Sequence, residues 1–251
     1  MKSPREIVQA VLGRFGYAVV NLAGTRSDVE SDFYPLYEAC REYTMTSLER
    51  LYALHRAVLY VSDHEIPGAI VECGVWRGGS SMLAARSLLD QGDTSRDLVL
   101  YDTFDGMTRP DAVDVSSLGK VALERWKSAA RSTGGSDWAA ASLEEVRANM
   151  LSTDYPSEKL VFVKGPVEET IPEAVPNEIA ILRLDTDWYA STRHELEHLF
   201  PRLSPGGVLI VDDYGCWDGA RKAVDEYLGS IDLPIYLNRI DSSARVALKP
   251  R

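Results

Sequence analysis

From residue 68 onward, short apolar runs recur along the chain, and most of them close on an acid. Residues 69–72, 98–102, 160–164, 179–185 and 208–212 are near-continuous apolar stretches of strand length. That pattern reads as strands, the first of them buried. Helix-compatible segments separate them, and strand–helix alternation predicts a parallel sheet. The last two candidates, 235–240 and 244–248, flank the turn Asp241-Ser242-Ser243. So short a turn makes a hairpin, and one of its strands must run against the rest.

Residues 1–60 carry a different period. Ile7, Val11, Leu12, Phe15 and Val19 recur at helical spacing, and a polar break follows at residues 24–32. A second amphipathic helix is expected over 43–60, with Leu48, Leu51, Leu54, Val58 and Leu59 on one side. This N-terminal part is expected to cap one edge of the sheet and to act as a lid. The connection 106–156 is long, with Trp126 and Trp138 on either side of a Gly/Ser-rich stretch at 132–136. It predicts helix, loop, helix over a binding site. The whole chain is read as one domain, 1–251, with 61–251 as its core.

After the first strand comes a glycine turn, G-V-W-R-G-G-S at residues 74–80. Strand, tight turn and helix start bring backbone N–H groups up to a ligand. The spacing is Gly-x-x-x-Gly-Gly. A dinucleotide turn needs its second glycine where Trp76 stands, and an indole there blocks a pyrophosphate. A ligand with a carboxylate and a cation but no phosphate suits this loop beside Glu72, and S-adenosylmethionine has both.

Glu72, Asp102, Asp185, Asp212 and Asp213 all fall at C-terminal strand ends, the edge where open α/β sheets bind ligands. Helix capping accounts for one or two such acids. A cluster repels itself unless a cation joins it. Asp102 is placed to take the ribose hydroxyls of an adenosine. Asp185, Asp187, Asp212 and Asp213 supply oxygen ligands from two adjacent strand ends, which suits Mg²⁺. Three acids would hold the metal and the fourth would act as a base. A second metal motif competes: His194-Glu195-Leu196-Glu197-His198 matches H-E-x-x-H. Pro201 follows at once and no protease framework surrounds it, so a solvated helix face is the expected reading.

Composition narrows the function further. The chain has 251 residues, 45% hydrophobic and 26% charged, as in a globular domain. Its net charge of −11 argues against nucleic-acid and anionic-membrane partners. It has no apolar run long enough to span a bilayer and no signal-peptide core. Its three cysteines are widely spaced and fit a reducing cytoplasm.

V-E-C-G-V-W-R-G-G-S, Y-D-T-F-D-G-M, L-R-L-D-T-D-W-Y, P-R-L-S-P-G-G-V-L-I-V-D-D-Y and the upstream Y-T-M resemble the macrocin O-methyltransferase family over about residues 40–241. These enzymes methylate deoxysugar hydroxyls on macrolides, aminocoumarins and related glycosides. The resemblance implies a class I methyltransferase fold: a Rossmann-like, seven-stranded, mostly parallel sheet with an antiparallel last strand. It implies Mg²⁺ dependence and a homodimer. Carried over by position, Glu72, Gly74 and Ser80 line the methionine part of the cofactor. Asp102 holds the ribose, Thr103 and Phe104 lie by the adenine, and Met45 approaches from the helical lid. Asp185, Asp212 and Asp213 match metal ligands, and Asp187 matches the general base. The acceptor implied is a glycosylated small molecule. A catechol-type acceptor would chelate the metal in the same way, although such enzymes tend to use a lysine base, absent from 185–189. A non-catalytic adenosylmethionine-binding protein would have no need of the Asp185/Asp212/Asp213 cluster.

Overall fold

The computed structural model describes residues 8, 12, 28–132 and 135–251. The helix expected around residues 7–19 lies outside them apart from residues 8 and 12. The chain divides into two compact units, Met1–Tyr34 and Pro35–Arg251. The second unit carries the sheet.

Seven strands form that sheet: β1 (Ala69–Cys73), β2 (Leu98–Asp102), β3 (Leu160–Lys164), β4 (Ile179–Leu184), β5 (Leu203–Val211), β6 (Asn238–Arg239) and β7 (Arg245–Leu248). Their order is β3-β2-β1-β4-β5-β7-β6. The first five pair in parallel, and β7 runs antiparallel to β5 and to β6. The hairpin expectation therefore holds, with β7 as the reversed strand. Its partner β6 has only two residues, since Ile235 and Leu237 pack on the core instead of joining the ladder.

Side chains on the central strands alternate between two faces. Val71, Cys73, Tyr101, Leu182, Leu184 and Val211 are buried in one apolar cluster. That cluster also takes Leu196 and Leu199 from helix Tyr189–Leu199 and Val224 and Tyr227 from helix Asp218–Ser230. The opposite face presents Glu72, Arg183 and Ile210, toward helices α1 (Leu48–Asp63) and α2 (Gly79–Asp90).

Helix α1 starts at Leu48, five residues later than expected. The Ser47 side chain accepts from the Arg50 N–H and caps the helix. Thr44, Met45 and Thr46 are therefore a non-helical lead-in. In the 106–156 connection, helix α3 (Ala122–Ala129) and helix α4 (Leu143–Leu151) stand where two helices were expected. Helices α5 (Tyr189–Leu199) and α6 (Asp218–Ser230) complete the layer over β4 and β5.

Candidate active site

Register builds the site. Glu72 on β1 is paired with Arg183 on β4, and Arg183 with Ile210 on β5. Asp185 lies two residues past Arg183, and Asp212 two past Ile210, so all four polar side chains share one sheet face. Asp185 and Asp212 still donate backbone N–H groups to Cys73 and Leu184, at 2.8 and 2.9 Å, which carries the ladder up to the carboxylates.

Arg183 is the charge at the centre. Its Nη1 donates to Glu72 Oε1 at 2.6 Å and to Asp185 Oδ2 at 2.8 Å, and its Nη2 donates to Asp212 Oδ1 at 2.7 Å. Arg50 of α1 donates to the other oxygen of Asp212 and, through Nε, to Asp241 Oδ2 at 2.8 Å. Ser81 of α2 donates to Glu72 Oε2. Neither arginine figured in the sequence reading. Arg183 had left a trace there: it is the one charged residue in the apolar run 179–184.

The glycine loop is fixed by the strand beside it. Gly74 has φ +83°, and a Cβ there would sit 1.9 Å from the Asp185 carbonyl oxygen. Gly79 lets the Tyr43–Thr44 backbone cross the start of α2, since its Cβ would fall 2.6 Å from Tyr43. Ser80 lies 3.4 Å from the Thr44 hydroxyl. Asp102 holds the loop closed: Oδ2 accepts from Val75 N at 2.7 Å and Trp76 N at 3.0 Å, and Oδ1 from Phe104 N at 2.8 Å. The Thr103 hydroxyl lies 3.4 Å from Asp102 Oδ1 but has its shorter bond, at 2.7 Å, to the Gly106 carbonyl; with a single proton to give, it leaves Asp102 Oδ1 an acceptor position for a ligand. Burial raises the Asp102 pKa, and the three backbone N–H groups oppose the rise.

We expect Gly74→Ala to be severe. The left-handed backbone alone costs an alanine of order 1–3 kcal/mol, and the overlap with Asp185 must push the acidic turn aside. The melting temperature and S-adenosylhomocysteine affinity should both fall; retention of both would show that the loop tolerates a Cβ.

Asp185, Asp212 and Asp213 each offer an oxygen, and these oxygens lie within 4.8 Å of one another. Burial raises the pKa of Asp185, and Asp212, Asp187 and Glu72 add to it while Arg183 opposes. For Asp213 burial again leads, followed by Asp187, Asp185 and Asp212. Asp187 is pushed up to about 6, chiefly by burial. A hydrogen bond between Asp187 and Asp213 favours the charge on Asp187 and the proton on Asp213, and the Trp217 indole also favours the charge on Asp187. The donor set fits a hard divalent cation: it is oxygen only, convergent, and more acidic than Arg50 and Arg183 can offset.

Asp187 reaches this cluster by a route the sequence did not suggest. β4 ends at Leu184, one residue before the expected Asp185, and Asp187 has φ +66°. It turns in from a left-handed position, which aspartate tolerates better than most residues. Nor does it cap the following helix: the Tyr189 N–H goes to Asp114 Oδ1 at 2.9 Å. Asp114, buried in the 106–156 connection, also accepts from Asp111 N at 2.7 Å.

One cavity of about 290 Å³ joins these groups. Met45, Glu72, Gly74, Ser80, Asp102 and Thr103 line one part; Asp185, Asp187, Asp212 and Asp213 line another. Met45 reaches it from the non-helical lead-in before α1 and not from a helix, which corrects the expectation. Phe104 does not line the wall: its ring is buried 6.5 Å from that of Phe162, and only its N–H serves the site, through Asp102. Trp138 and Trp217 add an aromatic wall, with Trp188 edge-on to both at 5.5 and 5.1 Å, and the Arg125 guanidinium lies 4.0 Å over Trp138. Trp217, Trp188 and Arg125 were not singled out from the sequence.

The H-E-x-x-H helix belongs elsewhere. Glu195 is fully buried and accepts from Thr186 Oγ1 at 2.9 Å, while His194 bonds the Ile171 carbonyl at 2.9 Å. The expectation of a solvated face is thus wrong for Glu195, which faces the protein interior under the acidic turn.

A parallel sheet reversed at its last strand, a glycine turn after β1 and an acid closing β2 define the class I methyltransferase fold. The solved structure of the O-methyltransferase NovP shares it with a TM-score of 0.72 and 32% identity, over 83% of each chain. CalS11, a calicheamicin methyltransferase, has the same fold at 21% identity, with a TM-score of 0.60 over 99% of this chain and 94% of its own. Residues 27–248 match the Macrocin-O-methyltransferase (TylF) family, and this chain belongs to that family and is an O-methyltransferase. Among curated relatives, an 8-demethyl-8-(2,3-dimethoxy-alpha-L-rhamnosyl)-tetracenomycin-C 4'-O-methyltransferase of Streptomyces olivaceus is 37% identical over 80% of this chain and 73% of its own. Demethyldecarbamoylnovobiocin O-methyltransferase of Streptomyces niveus is 36% identical over 79% and 72%. Mycinamicin III 3''-O-methyltransferase of Micromonospora griseorubida is 32% identical over 74% and 70%.

Proposed function

We propose that this enzyme transfers the methyl group of S-adenosylmethionine to a sugar hydroxyl of a glycosylated small molecule, with Mg²⁺ held by Asp185, Asp212 and Asp213. The observation that carries the reading is the single cavity in which the glycine loop and Asp102 open onto the acidic cluster and the tryptophan wall. The names of the relatives support the acceptor class: one places its methyl group on a rhamnosyl tetracenomycin.

In this reading the free acceptor position of Asp102 takes a ribose hydroxyl, and the Val75 and Trp76 amides keep its carboxylate oriented. Glu72 faces the ammonium of the cofactor, and the N–H groups around Gly74 and Ser80 face its carboxylate. The apolar side of the sugar lies on Trp138 and Trp217. A divalent cation, when bound, supplies the charge that orients a sugar oxygen and lowers the pKa of its proton. Asp187 accepts that proton as the oxygen forms its bond to the methyl carbon; the carbon–sulfur bond breaks, and its electron pair returns to sulfur. Much of the rate comes from holding oxygen, methyl and sulfur in line. Among the described residues no lysine lines the cavity, so an aspartate base fits better than the lysine of a catechol-type enzyme. We further propose that the enzyme works as a cytoplasmic homodimer. Among the described residues no helix is long and apolar enough to cross a membrane.

Calorimetry checks the cofactor first. S-adenosylhomocysteine should bind and NAD should not, because Trp76 stands where a pyrophosphate would pass. Binding of NAD with no response to S-adenosylhomocysteine would overturn the reading. A methyl-transfer assay against a panel of glycosides, with their aglycones as controls, then tests the acceptor; methylation of the aglycones alone would replace the sugar with a phenol or another hydroxyl.

A further inference from the structure

Arg183 does not itself line the cavity, yet it is hydrogen-bonded to three carboxylates that do. Its side chain is 4% exposed, on a central strand. A guanidinium is buried there only at a large desolvation cost, which several well-made ion pairs must offset. Three carboxylates provide them, from three different strand ends, at 2.6, 2.8 and 2.7 Å. One of them, Glu72, lies on the glycine-loop side. The other two, Asp185 and Asp212, belong to the oxygen cluster. Nη1 is shared between Glu72 and Asp185, so one nitrogen serves both sides.

We infer that Arg183 is a positioning residue that couples the cofactor side of the site to its cation side. The inference rests on the proposed assignment of Glu72 to the cofactor and of Asp185 and Asp212 to the cation. The guanidinium fork holds three carboxylates at fixed angles; a lysine ammonium is a point charge on a flexible stem and cannot hold all three. When the cofactor ammonium draws on Glu72, the share of Nη1 left for Asp185 grows. A cation on Asp185 and Asp212 returns that share to Glu72. Each site therefore senses the other through a residue that meets neither ligand, and the effect must be reciprocal.

The test reads binding and not turnover, with Mn²⁺ alone and S-adenosylhomocysteine alone as probes. Wild-type protein must bind both; failure of either would overturn the proposed function itself. Arg183→Lys is expected to weaken both probes by about 10-fold or more, in the range found when groups behind metal ligands are changed. Glu72→Gln in otherwise wild-type protein is expected to weaken Mn²⁺ by about 5-fold, because the freed guanidinium settles on Asp185 and Asp212. With lysine at 183 the same Glu72→Gln change should leave Mn²⁺ affinity nearly unaltered. A purely structural Arg183 predicts a lower melting temperature with both affinities intact. Equal effects of Glu72→Gln in the two backgrounds would mean loss of a direct attraction between Glu72 and the cation through space, and the inference would fall. Should the lysine variant not fold, Asp185→Asn measured with S-adenosylhomocysteine in the absence of metal takes its place. A several-fold change supports the coupling, and unchanged affinity refutes it.

Discussion

Replacing Asp187 with asparagine is expected to lower turnover by about 10²–10⁴-fold, the usual worth of a positioned general base. Asparagine keeps the shape, tolerates the left-handed φ of +66° and removes only the basicity. Affinity for S-adenosylhomocysteine should hardly change, since Asp187 lies on the acidic side of the cavity. Stability should hold or rise. The folded pKa is raised to about 6, so the folded state favours the protonated form more than the unfolded chain does. The charged carboxylate therefore costs stability above about pH 6, and the cost vanishes below the unfolded value near 4. Asparagine removes the cost. A helix-capping Asp187 would give the opposite pattern, a lower melting temperature with normal turnover, but Asp114 already accepts from the Tyr189 N–H. Turnover, melting temperature and ligand affinity measured on one variant separate the two. If Asp187→Asn keeps most of its turnover at saturating substrate, another group takes the proton.

The proposed cation ligands should respond unequally to substitution. Asp213→Asn is expected to lower activity by about 10²-fold or more at low Mg²⁺ and to recover in part as Mg²⁺ is raised, because a ligand oxygen is lost to a site that otherwise stands. Among the described residues Asp213 makes no ion pair with an arginine, so the fold should survive. Asp212 is different: both of its oxygens are held, one by Arg183 and one by Arg50. Asp212→Ala leaves two guanidinium groups short of a partner, and breaking buried pairs of this kind costs about 3–5 kcal/mol. A clear drop in melting temperature should accompany its loss of activity, and Mg²⁺ should not restore it. Paired thermal melts and Mg²⁺ titrations of the two variants check the contrast. Equal stability in both would mean that the arginines find other partners.

The sheet and its acidic edge were legible because buried parallel strands are apolar throughout, and a carboxylate that ends one stands out. Strand boundaries shifted where pairing overrode hydrophobicity: β5 begins at Leu203, opposite Ile179, five residues before its apolar run. Local capping by Ser47 decides the start of α1. The cavity wall was harder to read. Arg50 lies 162 positions from Asp212 and Asp114 lies 75 from Tyr189, so no window along the sequence holds either pair. Trp188 and Trp217 meet only because α5 and α6 start side by side above the sheet. Asp187 was found for an insufficient reason, since an extended strand would have been needed to align it with Asp185. Arg183 could have been found: a lone charge inside a buried strand requires partners, and the acids at the neighbouring strand ends were already in view.

Cation-assisted transfer of a methyl group to a sugar oxygen is the defining step of the proposed reaction. Chelator-treated enzyme, methyl-labelled S-adenosylmethionine and a glycoside acceptor identified from the panel, titrated with Mg²⁺, test it most directly. No label should transfer in excess chelator, transfer should return saturably with Mg²⁺, and the label should sit on a sugar oxygen of the product. Full transfer in excess chelator, or label found only on the aglycone, would contradict it.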